Sequence, residues 1–365
     1  MHLSGILRRV LSRWMGVRRM NKPKQQIEGL PEGVEFERLN DICLDHFGKP
    51  LKTVSYSHVS GWKASGAYRL YLVLGNRRER RVVFKNALYD EEQIPSLVGL
   101  PVHPGPPEYT FYSNPAGPLA GYLPEIYLAE ELVPGRHYHY LLEDLDVDYQ
   151  PPYSLENFLY LVKRLSILHC ELENWQSGIG QDDFLHYDQA YSSALQTYAQ
   201  EKLEGYAQVA AGEPLRSVLQ LWSKIVAIHG REEYRQLQPV NLLHGDFNGS
   251  NIFVHRRHPE KIKLIDWEWA GVGLPHADLA SLFKGGDPEL EQQVLQIFAS
   301  HNNVLSLEQH KRLYSWSQLE RALLDASFLA AYSVNSSQVT KLDIPEFIDF
   351  SLREILRRYA ELAGR

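Results

Sequence analysis

Between His244 and Glu268, in HGDFNGSNIFVHRRHPEKIKLIDWE, two carboxylates and one amide have the types and spacing that phosphoryl transfer uses. That reaction needs a group to orient an attacking hydroxyl, and oxygen ligands to hold Mg²⁺ against ATP. Asp246 and Asn251 share one short loop, and Asp266 follows at the end of a second apolar run. Together they can supply both jobs. A lone Asp in a loop is normally a turn residue or a helix cap, so the case rests on the three residues together.

The elements that must position them are legible. Val240–Leu243 is apolar and can deliver the loop from a buried element. Phe247–Ser250 is turn-rich, Ile252–Val254 reads as a strand, and His255–Lys261 with Pro259 reads as a hairpin connection. Ile262–Ile265 is then the return strand, which brings Asp266 beside Asn251. A polar trio at the ends of a hairpin is hard to explain as packing.

An earlier segment can supply a nucleotide site. Val54–Val59, Tyr68–Leu74 and Arg81–Lys85 read as strands, with the small-residue turn SGWKASG (Ser60–Gly66) after the first. Gly61, Ser65 and Gly66 permit close backbone approach, so that N–H groups can meet phosphate oxygens. An ordinary hairpin turn would look similar. The turn is not a Walker A loop, because Ala67 stands where that loop needs Lys. Lys85 ends an apolar run, which buries its stem and aims a point charge able to reach phosphates. Its bland alternative is a lysine snorkelling from a strand end. Tyr127–Val133 and Tyr138–Asp144 read as two further strands around the turn Val133-Pro134-Gly135.

Three segments resemble the aminoglycoside phosphotransferase and choline kinase-like enzymes. His244–Asn251 matches their H-x-D-x-x-x-x-N loop, Ile265-Asp266-Trp267-Glu268 their I-D-W/F-E segment, and Gly273–Ala280 their G-x-P-x-x-D-L-A segment. The resemblance covers roughly residues 50 to 330. It implies that Asp246 is the catalytic aspartate, that Asn251 and Asp266 hold Mg²⁺, and that Asp278 braces the catalytic loop from a helix. His244 reads as a hydrogen-bonding brace rather than a proton acceptor, Trp267 as a packing residue, and Glu268 as either a partner of the metal site or half of a salt bridge. The resemblance further implies that Lys85 holds the nonreacting phosphates of ATP and pairs with a helix glutamate, for which Glu91 and Glu92 are the candidates. Pro95 interrupts that helix. The hinge that binds adenine falls on Leu142–Leu145, with Glu143 and Leu145 as nucleotide-contacting positions.

After the hinge the period changes. LENFLYLVKRLSILHCELENW sets Leu155, Phe158, Leu161, Val162, Leu165 and Leu168 on one helical stripe, with His169 a packed histidine. Further helices are expected within Leu185–Leu237, broken near Ala211–Pro214, and within Asp287–Arg312, Trp316–Tyr332 and Ile344–Leu362. In the last, Ile348, Leu352, Ile355 and Leu356 form the apolar face, with Arg353, Glu354, Arg357 and Arg358 turned outward. The expected fold is α+β and protein-kinase-like in two lobes: an antiparallel-sheet lobe over residues 25–145, a linker at 146–153, and a larger helical lobe over 154–365 carrying the catalytic hairpin at 240–270. Asp182, Asp183 and Asp188, near Trp175 and Tyr187, can either hold an amine-bearing acceptor or simply cap helices in a solvated loop.

The chain has 365 residues, long for one core and ordinary for two lobes. Cys43 and Cys170 are too far apart for a zinc spacing and suit a reducing compartment. Net charge is −7, against nonspecific nucleic-acid binding. Residues 1–24 carry seven Lys and Arg and no acid, which leaves −14 on the rest. There Leu3, Ile6, Leu7, Val10, Leu11 and Trp14 recur at helical spacing opposite Arg8, Arg9 and Arg13. This pattern suits weak membrane contact through residues 1–19, an import-type segment, or a disordered tail before a start at Met20. A cytoplasmic setting is expected, with a peripheral-membrane or organellar one as the alternative. The expected activity is ATP-dependent phosphorylation of a small-molecule hydroxyl, the acceptor being an aminoglycoside, amino alcohol, sugar or hydroxy amino acid. The rival readings are a noncatalytic nucleotide-binding scaffold and a protein kinase. Little chain separates Asp266 from Gly273–Ala280, which leaves the second rival small room for a peptide-docking segment.

Overall fold

The computed structural model describes residues 27–59, 66–89, 99–100, 107–152, 154–173, 184–231, 233–236, 241–285, 287–301, 305–335 and 344–364. Among them an antiparallel-sheet lobe precedes a mainly helical one. The first lobe holds β1 (Ile27–Glu28), α1 (Phe36–Phe47), β2 (Leu51–His58), β3 (Gly66–Leu74), β4 (Glu79–Leu88), α2 (Pro107–Ser113), β5 (Ile126–Val133) and β6 (His137–Glu143). Its six-stranded sheet runs β1-β2-β3-β4-β6-β5, every neighbour antiparallel. Alternation in β3 and β4 puts Leu70, Leu72, Leu74, Val82 and Phe84 on one face, where Leu39 and Cys43 of α1 cover them. The strand pattern alone does not announce α1. Its signals are the spacing of Leu39 and Cys43 and the left-handed Gly48 that ends it, whose N–H donates to the Leu44 carbonyl.

The chain then leaves β6 for a turn and a short strand, β7 (Tyr149–Gln150). The expected linker is therefore partly a strand: β7 pairs with the catalytic hairpin. Next come α3 (Leu155–Glu173), β8 (Leu185–His186), α4 (Gln189–Ala207), α5 (Glu213–Gln220), α6 (Trp222–His229) and α7 (Glu233–Gln236). The hairpin region holds β9 (Asn241–Leu243), β10 (Ile252–His255), β11 (Ile262–Leu264) and β12 (Gly271–Gly273), and α8 (His276–Leu282), α9 (Pro288–Ala299), α10 (Leu307–Asn335) and α11 (Ile344–Ala363) follow. Two small sheets, β11-β10-β7 and β8-β12-β9, frame the hairpin. Phe158, Leu161, Val162, Leu165 and Leu168 of α3 are buried beneath it, as their spacing predicts.

Two expectations need correcting. Trp316–Tyr332 is not a separate helix, because α10 runs unbroken for 29 residues from Leu307. Glu354 and Arg358 do not face outward: both are buried, and Arg358 has no exposed side-chain surface. Arg358 pairs with Glu291 at 2.7 Å and with Glu361 at 2.9 Å, so neighbouring α9 supplies a partner that helix periodicity cannot reveal. No helix among the described residues is long and apolar enough to cross a membrane.

Candidate active site

β9 delivers the catalytic loop. Its last residue pairs with Gly271, and the chain turns at Gly245 with φ +78°. Only glycine suits that position: a Cβ there would lie 1.8 Å from the Trp269 carbonyl oxygen and 2.7 Å from the Tyr187 hydroxyl. Asp278, buried on α8, accepts the backbone N–H groups of both His244 and Gly245 at 2.9 Å. His169 Nε2 lies 3.4 Å from the same carboxylate. Burial pushes the Asp278 carboxyl up, but His169 and the His244 N–H outweigh it and hold the group below the usual carboxylate range. His244 spans the two motif segments. Its Nε2 donates to the Ile265 carbonyl at 2.9 Å, and its Nδ1 accepts from the Asp246 N–H at 3.3 Å. Trp267 is buried with its ring 4.5 Å from the His244 ring, in a packing role.

Asp246 Oδ2 accepts from Asn251 Nδ2 and from Asn248 Nδ2, each at 2.9 Å. The Ile265 N–H donates to the Asn251 carbonyl at 3.0 Å, the link that closes the hairpin and sets Asp266 beside Asn251. Asp266 has φ +65°, a left-handed backbone that a non-glycine residue adopts only where its surroundings impose it. That turn presents its carboxylate to Lys85, whose Nζ stands 2.6 Å from Asp266 Oδ1 and 2.8 Å from Glu108 Oε2. Burial alone would lower the Lys85 pKa, yet Asp266 and Glu108 reverse it and hold the ammonium well above its ordinary range.

The glutamate on Lys85 is thus Glu108, on α2. Glu91 and Glu92 lie outside the described residues. A signal for α2 was present in the sequence: Pro107 at the first helical position, an acid directly after it, then aromatic residues. Gly61 and Ser65 also lie outside the described residues, as do Asp182, Asp183 and Trp175. Gly66 opens β3 opposite Asn86, and a Cβ there would meet the Tyr68 ring at 3.0 Å. Asp188 caps α4, accepting the Tyr191 N–H at 3.0 Å.

At the hinge, Glu143 closes β6 and Leu145 is buried against Tyr149 and Phe253. Between them Asp144 is buried and ion-paired with Arg69 at 2.8 Å and Arg81 at 3.1 Å, which ties the crossing segment to β3 and β4. Glu268 is pushed up to about 8, by burial first and then by Asp266, against the pull of Lys85. Asp266 and Asn251 offer hard oxygen donors beside other carboxyls, the kind of donors that Mg²⁺ takes.

Besides Glu108, sequence reasoning missed a second member of the site. Arg321 of α10 reaches Asp246 Oδ1 with its Nη2 at 3.1 Å. In the sequence it is one more polar residue on a long helix.

A sheet lobe and a helical lobe meeting at a hairpin define a protein-kinase-like fold. Residues 176–320 match the model of the phosphotransferase enzyme family. The fold is similar to that of a choline kinase from Cryptosporidium parvum (12% identity, 90% of this chain and 97% of that one, TM-score 0.59). It is similar to a Plasmodium vivax ethanolamine kinase (12% identity, 98% and 96%, TM-score 0.58). A spectinomycin phosphotransferase, solved with ADP and spectinomycin, aligns at 13% identity over 90% and 99% with a TM-score of 0.54. At these identities the likeness is one of fold. No curated protein matches the chain in sequence.

Proposed function

We propose that this protein transfers the γ-phosphoryl group of Mg²⁺-ATP to a hydroxyl of a small molecule. The observation that carries the reading is the convergence of Asp246, Asn251, Asp266 and Lys85, drawn from both lobes, on one hairpin. Asp246 accepts a hydrogen bond from the acceptor hydroxyl and aims its oxygen at phosphorus. The new O–P bond forms as the bond to the ADP oxygen breaks, and the hydroxyl proton leaves along the hydrogen bond to Asp246. The transition state of such transfers is loose, so Asp246 has to orient more than it has to deprotonate. Asn251 and Asp266 would hold Mg²⁺, which would neutralise charge on the phosphate oxygens. Lys85 holds the nonreacting phosphates, Gly61, Ser65 and Gly66 are the candidates to meet them with backbone N–H groups, and Glu143 to Leu145 frames the adenine.

The acceptor carries a free hydroxyl. The motifs are common to enzymes with quite different acceptors, so they do not choose among amino alcohol, aminoglycoside, sugar and hydroxy amino acid. Turnover of Mg²⁺-ATP against choline, ethanolamine, spectinomycin, neutral sugars and hydroxy amino acids tests the reading. Phosphorylated product that disappears in Asp246→Ala supports it. Nucleotide binding with no product from any acceptor, or transfer only to intact proteins, overturns it. A cytoplasmic setting goes with this chemistry. Any membrane attraction through residues 1–19 is separable from it: vesicle sedimentation with anionic lipid should weaken when Arg8, Arg9 and Arg13 are neutralised, and a chain starting at Met20 should keep turnover.

A further inference from the structure

Asp246 is held from two directions, and only one of them lies in the motif. The motif direction is Oδ2, which takes the amides of Asn248 and Asn251. The other is Oδ1, which takes the Arg321 guanidinium 75 residues further on. Arg321 also reaches the Gly245 carbonyl with Nη1 at 3.4 Å, so it grips the backbone of the loop as well as its side chain. On its other edge, Nε donates to Asp325 Oδ1 at 2.9 Å, and Lys284 Nζ donates to Asp325 Oδ2 at 2.6 Å. The side chains of Arg321 and Asp325 are 17% and 15% exposed, too little for a freely solvated surface pair. The line Lys284–Asp325–Arg321–Asp246 alternates in sign along its whole length. A planar fork with several donors suits this task, because one edge can be anchored while the other aims.

We propose that Arg321 is a positioning residue for phosphoryl transfer, acting through Asp246. This rests on the catalytic role assigned to Asp246 above. Two amides anchor Oδ2. The guanidinium anchors Oδ1 as well, so the carboxylate is held at both oxygens and its orientation toward the acceptor hydroxyl is fixed. Asp325 and Lys284 fix the guanidinium in turn. Misplacement of a reacting group by about 1 Å is enough to cost about a hundredfold.

The test uses the full chain with saturating Mg²⁺-ATP and whichever acceptor of the panel above turns over, or water as acceptor where none does. Arg321→Ala is expected to lower kcat about 10- to 100-fold, with the KM for ATP within about twofold of wild type. Guanidinium ion added to Arg321→Ala, or the Arg321→Lys variant, should recover part of the rate. Asp325→Asn should fall between. In an Asp246→Ala background, Arg321→Ala should cost nothing further in kcat. Wild-type kcat in Arg321→Ala would overturn the inference. So would a loss shared equally by ATP affinity and thermal stability without rescue by guanidinium or Lys, because that pattern marks a merely structural arginine. Should Arg321→Ala fail to fold, the Arg321→Lys and Asp325→Asn split between kcat and KM decides the matter. Wild-type turnover in Asp246→Ala would remove the functional reading itself, and so is distinguishable from failure of the Arg321 role alone.

Discussion

The two ends of the site use one device for different ends. On the nucleotide side, Lys85 of β4 pairs with Asp266; on the acceptor side, Arg321 of α10 pairs with Asp246. In both, a distant element brings a cation onto a carboxylate of the hairpin. The difference lies in what surrounds each pair. Lys85 is buried between two carboxylates, Asp266 and Glu108, and in the function proposed above its point charge serves phosphates that arrive with the nucleotide. Arg321 is anchored to Asp325 and to the Gly245 backbone, and its charge is spent on holding a side chain still. An ammonium on a flexible stem suits an exchange of partners, and a rigid fork suits a fixed one. Under the proposed function, the Lys85 pair is the one to be rearranged and the Arg321 pair the one to be kept.

The largest effects should come from the carboxylates themselves. Asp246→Ala and Asp266→Ala are each expected to cost at least about a hundredfold in rate, roughly 3 kcal/mol. They should differ in kind: Asp266→Ala loses the Mg²⁺ dependence of nucleotide binding, and Asp246→Ala keeps it. Calorimetry with ATP, with and without Mg²⁺, checks this, and identical binding behaviour in the two variants would erase the division between the sides.

Gly245→Ala should come next and should damage stability before chemistry. The added Cβ meets the Trp269 carbonyl oxygen at 1.8 Å in a left-handed backbone, so the loop has to move. We expect a loss of about 2–4 kcal/mol in denaturant unfolding, and the acceptor side loses its rigid floor. An Ala variant with wild-type stability and rate would show that the loop tolerates movement.

Lys85→Ala sharpens the contrast from the other side. It should weaken ATP binding by at least about tenfold, with kcat also reduced. It should in addition destabilise the nucleotide-free protein, since Glu108 is left buried without its ammonium. Glu108→Gln in the same chain should restore part of that stability without restoring ATP affinity. Recovery of both together in the double variant would contradict a phosphate role for Lys85.

The smallest effect concerns the floor beneath both sides. His276 at the start of α8 is fully buried, with its Nε2 2.9 Å from His310 Nδ1. Burial, then the nearby His310 and His169, depress its pKa well below the ordinary histidine value. The unfolded chain therefore binds a proton below pH about 6.5 that the folded one refuses, and stability falls as pH drops through that range. The slope should reach about 1.4 kcal/mol per pH unit for this group. Urea unfolding between pH 7 and 5 measures it, and His276→Gln should flatten the curve. An unchanged slope in that variant would assign the acid sensitivity elsewhere.

Much of the fold was readable because its signals are local. Strand-like runs between turns placed β2 to β6 to within a few residues, and the apolar stripe of Leu155–Leu168 placed α3. The hairpin followed from Pro259 and a charged turn between two apolar runs. The short spacing of Asp246 and Asn251 and their link to Asp266 across β10 and β11 are also local, since a hairpin converts sequence distance into spatial neighbourhood by a simple rule.

What the sequence by itself determined is therefore the chemistry-bearing loop, the strand that carries Lys85 and the order of sheet before helices. Only the tertiary structure decided which distant groups complete the site. Glu108 rather than an earlier glutamate meets Lys85, because that depends on where α2 packs against β4 and the hairpin. Arg358 is buried although its helix period faces it outward, because α9 brings Glu291 to it. Arg321 has the same look in the sequence as a solvated i,i+4 partner of Asp325, and becomes part of the site because α10 passes the catalytic loop with that face inward. An ion pair across 75 or 181 residues leaves no periodic trace. Its energy depends on burial and approach, and these exist only once the lobes have packed.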